Sequence, residues 1–117
     1  MESMMMAMTM DEHDDVSSFI EGAFEIYDEI DGAKEYIEKA LKMKVRDRSA
    51  ADSLCTMSAQ ELQHAETLRL NAERTLLRMK DEKSPCYEVL QKVWNHMARR
   101  QAEYMGWVRQ MHEQYKK

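Results

Sequence analysis

Apolar side chains recur every third or fourth position along most of this chain, which is the repeat that gives an α-helix one buried stripe. The first such series is Phe19, Ala23, Ile26, Ile30, Ala33, Ile37 and Ala40, and it predicts a helix from about Asp15 to Met43. The charged segment Lys44-Val-Arg-Asp-Arg-Ser49 interrupts it. The pattern resumes with Ala51, Leu54, Ser58, Leu62, Ala65, Leu68, Ala72, Leu76 and Met79, predicting a second helix that ends near Asp81. Ser84-Pro85 then reads as a helix start, with Ser84 capping and Pro85 in the first turn, where its missing N–H is not needed. A third helix carries Leu90, Trp94, Met97, Gln101, Tyr104, Val108, Met111 and Tyr115. Helices of roughly 30 residues are about 45 Å long. Joined by short links they form an antiparallel, up-down-up bundle of three long helices, an all-α fold.

Residues 1–14, Met-rich and then acidic, lack the spaced large apolar residues of a core face. They are expected to form a mobile tail ahead of a single helical domain over 15–117. The composition agrees with an all-helical chain: 117 residues contain 3 Gly and 1 Pro, which leaves few positions for hairpin turns. The formal net charge of -5 supplies no basic field for nucleic acid or an anionic membrane surface. No apolar run approaches the roughly 20 residues that span a bilayer, and the Met-rich start leads into Asp11-Glu-His-Asp-Asp15 rather than a cleavage site, so a cytoplasmic protein is expected. Cys55 and Cys86 form no close ligand pair and read as buried, reduced thiols. Trp107 falls off the third helix's stripe beside Glu103, so its side of that helix, like the tail, is a candidate contact for another protein. His96 and His112 lie on the flanks of the same helix and read as structural or exposed, while His13 sits in the acidic tail. No phosphate loop, nucleophile elbow or Cys/His zinc spacing is present.

Chemistry concentrates on the second helix, in Ser58-Ala-Gln-Glu-Leu-Gln-His-Ala-Glu-Thr-Leu68. Glu61 shares the stripe of Leu54, Ser58, Ala65 and Leu68, and His64 lies beside it. A glutamate and a histidine at i and i+3 turn a carboxylate oxygen and an imidazole nitrogen toward one point, and a cation there offsets the cost of burying charge. By itself Glu-x-x-His is a weak signal in a Glu-rich helix. A second carboxylate, Glu29, stands at the edge of the first helix's stripe near Ile26, Ala33 and Ala40, with the small residues Gly22 and Ala33 on either side leaving room for a neighbouring helix.

These two segments resemble the ferritin-like di-iron carboxylate proteins, in particular their rubrerythrin-like branch. Glu-Ile-Asp-Gly-Ala-Lys-Glu-Tyr-Ile-Glu-Lys-Ala, from Glu29 to Ala40, is similar to the family's first metal helix, and Glu-Leu-Gln-His-Ala-Glu, from Glu61 to Glu66, to its Glu-x-x-His helix. The resemblance covers less than half the chain. It implies Glu29 as a terminal metal ligand, Glu61 as a bridging carboxylate, His64 as the nitrogen ligand and Tyr36 as a neighbour of the site. It also implies an iron or manganese centre, with ferroxidase-like, dioxygen or peroxide chemistry. The departure is the third helix, which has no Glu-x-x-His, so one chain supplies a single Glu, Glu, His set. Two chains would supply four carboxylates and two histidines, the set helical bundles use for a dinuclear centre, and a homodimer is therefore expected. Ferritins carried inside encapsulin shells are similar in supplying half a site per chain. Carboxylate and imidazole together also admit zinc. The competing expectation is a non-catalytic structural or adaptor protein that forms oligomers and binds no metal.

Overall fold

A computed structural model describes the backbone from residue 10 and the side chains from residue 14, to the C-terminus. The described residues form three helices, α1 over Met10–Met43, α2 over Arg48–Asp81 and α3 over Tyr87–Lys116. All seven apolar positions of the first series are buried, at no more than 5 % exposure, so the three-to-four spacing became one continuous core stripe on α1. The stripes of α2 and α3 meet it through Leu62, Ala65, Leu76, Met79, Leu90, Trp94 and Val108. Phe19 and Trp94 pack edge to face, with ring centroids 5.9 Å apart.

Hydrogen bonds between helices fix their directions. Asp15 meets Arg78 at one end of the α1–α2 pair and Ala33 meets Ser58 toward the other, so these helices are antiparallel. Ala23 with Gln101 and Asp31 with Tyr104 ascend together, so α3 runs parallel to α1. The assembly is slender, 59 × 23 × 21 Å. No described helix is long and apolar enough to cross a membrane.

Three boundaries differ from the sequence reading. The backbone is helical from Met10, so the expected tail loses residues 10–14, and its remainder over 1–9 lies outside the described residues. The charged break holds an N-cap: Asp47 accepts a hydrogen bond from Ala50 N–H at 3.1 Å, satisfying a first-turn donor of α2. At the other end of α2, Lys83 adopts φ 55°, and Lys83 N–H and Ser84 N–H donate to the carbonyls of Lys80 and Met79, a left-handed closure that uses two end carbonyls. Ser84 and Pro85 therefore belong to the turn, and α3 begins at Tyr87. Ser84 Oγ still accepts from Cys86 N–H at 3.4 Å, leading the chain into the helix.

Of the two cysteines, Cys86 is buried and Cys55 only half-buried, and neither forms a disulfide. Trp107 is 67 % exposed, as its place off the stripe implies. The far end of α3 is held by Tyr115, whose hydroxyl donates to Asp52 and whose carbonyl accepts from Lys44 Nζ, with Lys44 and Arg48 over its ring.

Candidate metal centre

The Glu29, Glu61 and His64 side chains converge. Each offers a ligand atom, and the three atoms lie within 4.8 Å of one another. They come from adjoining turns of α1 and α2, at a level where both helices carry small residues. Ser58 Oγ donates to the Ala33 carbonyl at 2.6 Å, which draws α2 against α1 one turn from Glu61. At Gly32 an added Cβ would stand 3.3 Å from Glu61 Oε2, a tight contact that would make the carboxylate give by a few tenths of an ångström. Gly32 follows Glu29 by one helical turn on the same flank. The room that the sequence reading assigned to Gly22 is not used, because nothing lies within 4 Å of a Cβ built there.

Charge crowding is visible in the site. Glu29 Oε2 is buried and receives no hydrogen bond, and His64 Nδ1 stands 3.6 Å from it. The Glu61 carboxyl is pushed above its usual range by its hydrogen-bonding contact with Glu29, then by burial and by repulsion from the Glu29 charge, while His64 opposes the shift. Two carboxylates thus face each other with less positive charge between them than they need. A buried acceptor without a donor, a second carboxyl whose ionised form is disfavoured by its neighbour and an imidazole at the rim are an arrangement that a divalent cation would suit. The donor set of two carboxylate oxygens and one nitrogen suits iron, manganese or zinc, and leaves coordination positions open.

The site faces outward. An open depression lined by Glu25, Asp28, Glu29, His64, Thr67 and Leu68 contains no residue of α3, and His64 is 65 % exposed. Contacts with α3 are made instead by Tyr27 and Asp31 of α1 and by Cys55, Ser58 and Arg69 of α2. With 3.6 residues per turn, these positions place Glu29, Glu61 and His64 on the flank of the α1–α2 pair turned away from α3. Tyr36, half-buried two turns from Glu29, makes no hydrogen bond with any of the three among the described residues. Gln101 and Tyr104 of α3 are likewise engaged elsewhere, Gln101 Nε2 with the Ala23 carbonyl at 3.2 Å and Tyr104 with Asp31 at 2.5 Å.

Sequence spacing identified the three converging side chains but missed Gly32, which lies against the Glu61 carboxylate, and Ser58, which ties α2 to the Ala33 carbonyl of α1. The available signal was register: Gly32 is three residues after Glu29 and Ser58 three before Glu61. No family model matches this chain, and no curated protein or solved structure does.

Proposed function

We propose that this chain is one half of a ferritin-like dinuclear metal protein, in which two copies join the outward flanks of their α1–α2 pairs around a shared iron centre, with manganese as the alternative. The observation that carries the reading is the buried, unpartnered Glu29 Oε2 facing a Glu61 carboxyl driven toward its protonated form, with His64 beside both. An acidic pair of this kind destabilises a metal-free fold, and a bound cation removes the penalty. One chain offers three ligands on an open face; a twofold copy brings the same three to the other side, giving four carboxylates and two histidines. A bound iron pair would supply one-electron chemistry toward dioxygen or peroxide, of which ferrous oxidation is the simplest form. The residues of this chain hold the cation, and Gly32 keeps Glu61 within reach of Glu29.

The second reading, a helical assembly protein without metal, rests on the same Glu29–His64 approach taken as a simple ion pair at a half-exposed groove. Metal analysis separates the two. Full-length protein incubated with Fe(II) without oxygen, or with Mn(II), and then desalted should retain about one metal ion per chain. It should also unfold at a higher temperature than the metal-free form. Glu61→Ala and Glu29→Ala should lose both effects. Wild-type protein that retains no metal and shows no thermal shift with either ion would leave the assembly reading standing and remove the metal one.

A further inference from the structure

Away from the metal-candidate flank, the seam between α2 and α3 holds a second cluster of reactive side chains. Ser58 is fully buried, and its hydroxyl hydrogen is committed to the Ala33 carbonyl at 2.6 Å. His112 Nε2 lies 2.8 Å from the same Ser58 oxygen, which has only lone pairs left to offer, so Nε2 carries a proton and donates it. That fixes the neutral tautomer and leaves a lone pair on Nδ1. Nδ1 is 3.6 Å from Cys55 Sγ, the geometry of a thiol hydrogen bonded to imidazole. A nucleophile, a base within reach of it and a third group orienting the base are thus in place, and Cys55 is partly exposed to solvent.

We propose that Cys55 is a peroxide-reactive thiol for which His112 acts as the base and Ser58 as the group that positions it. In the step, a sulfur lone pair attacks one oxygen of hydrogen peroxide. The S–O bond forms as the O–O bond breaks, the thiol proton passes to His112 Nδ1, and His112 returns it to the departing hydroxide, which leaves as water. Sulfur is oxidised to the sulfenic acid and the peroxide is reduced, with no other reactant required. Cys86, at 2 % exposure near the opposite end of α3, is not placed to react, nor to resolve the product as an intramolecular disulfide.

The surroundings hold the resting pair neutral. Burial, followed by the Asp52 charge on α2, pushes the Cys55 thiol up, and Lys116 on α3 opposes them. Burial and then Lys116 lower His112, against Glu113. The Ala33 carbonyl of α1, bonded to Ser58, and Tyr115 of α3 are also close to the cluster. The proton therefore leaves sulfur during the attack, and the reaction requires neutral His112 rather than a standing thiolate. This inference does not rest on the metal reading.

Metal-free full-length protein, with chelator present, is treated with hydrogen peroxide and excess dimedone, and adducts are mapped by peptide mass. Cys55 should take the label and Cys86 should not. Its rate should rise as pH passes through the ionisation of His112, below the usual histidine value of about 6.5, then hold level before the thiol itself ionises above about 8.5. His112→Gln should slow labelling about tenfold or more at neutral pH and keep only the upper rise. A wild-type Cys55 that labels no faster than in the denatured chain, a single rise at the thiol ionisation, or preferential labelling of Cys86 would overturn the proposal. The wild-type profile decides the matter even if the variant does not fold.

Discussion

A methyl group added at Gly32 would stand 3.3 Å from Glu61 Oε2, closer than a side chain is comfortably held, whereas one added at Gly22 would meet nothing. Both glycines lie within α1, where alanine is favoured by roughly 0.5–1 kcal/mol. Gly32→Ala and Gly22→Ala should therefore both raise, or at least hold, the unfolding temperature of the metal-free protein. Only Gly32→Ala should reduce the further rise produced by Fe(II) or Mn(II), because it moves one ligand. Equal responses to metal in the two variants would show that Gly32 does not shape the site. Residues that converge by helical periodicity were legible in the sequence, since Glu61 and His64 at i and i+3 share a face in any helix. The contribution of Gly32 was not. A helical glycine shows only its local cost until the side chain opposite it is known.

The elements are bounded by chemistry that the apolar pattern passes over. Asp47 caps α2 from within a run of charges that reads as a simple break, and Lys83 closes the other end at φ 55°. A left-handed conformation costs a residue with a Cβ about 1–2 kcal/mol, while glycine adopts it freely at some entropic cost in the unfolded chain. Lys83→Gly should then stabilise the protein by up to about 1 kcal/mol, measured by thermal or denaturant unfolding at equal protein concentration. A loss of stability would mean that the Lys83 side chain contributes more than its backbone strain. Pro85 was read as opening α3, but Ser84 N–H closes the end of α2 on the Met79 carbonyl, Cys86 takes the N-cap position, and the first helical residue is Tyr87.

At the scale of the molecule, the α1–α2 pair has two flanks and α3 covers one of them. The other displays Glu29, Glu61 and His64, with Met57 one turn before Glu61 and 40 % exposed. If two copies close on this flank, a charge placed there without touching the ligands should separate them. Met57→Arg should sediment at the 13.9 kDa of one chain under metal-loaded conditions in which the wild type sediments at twice that mass. Leu77→Arg, at a 59 % exposed position beside the α2–α3 groove, should leave the dimer intact. A dimer that survives Met57→Arg and dissociates on Leu77→Arg would place the interface on the other side.

Periodicity was sufficient for the number of helices, their approximate ends and the buried face of each, because burying a stripe is a local property of a 3.6-residue repeat. It also marked Glu61 and His64 as neighbours. Tertiary structure decided everything that depends on how far apart helices stand and which way a flank faces. Glu29 reaches the pair where Ser58 bonds the Ala33 carbonyl and Gly32 puts no side chain against Glu61, and a distance between helices is a property of both sequences at once. His112, a flank residue by its spacing, became the partner of Ser58 and Cys55 because α3 lies along that side of α2. The same choice of side left the carboxylates of α1 and α2 facing outward, where their charge is balanced by no residue of α3.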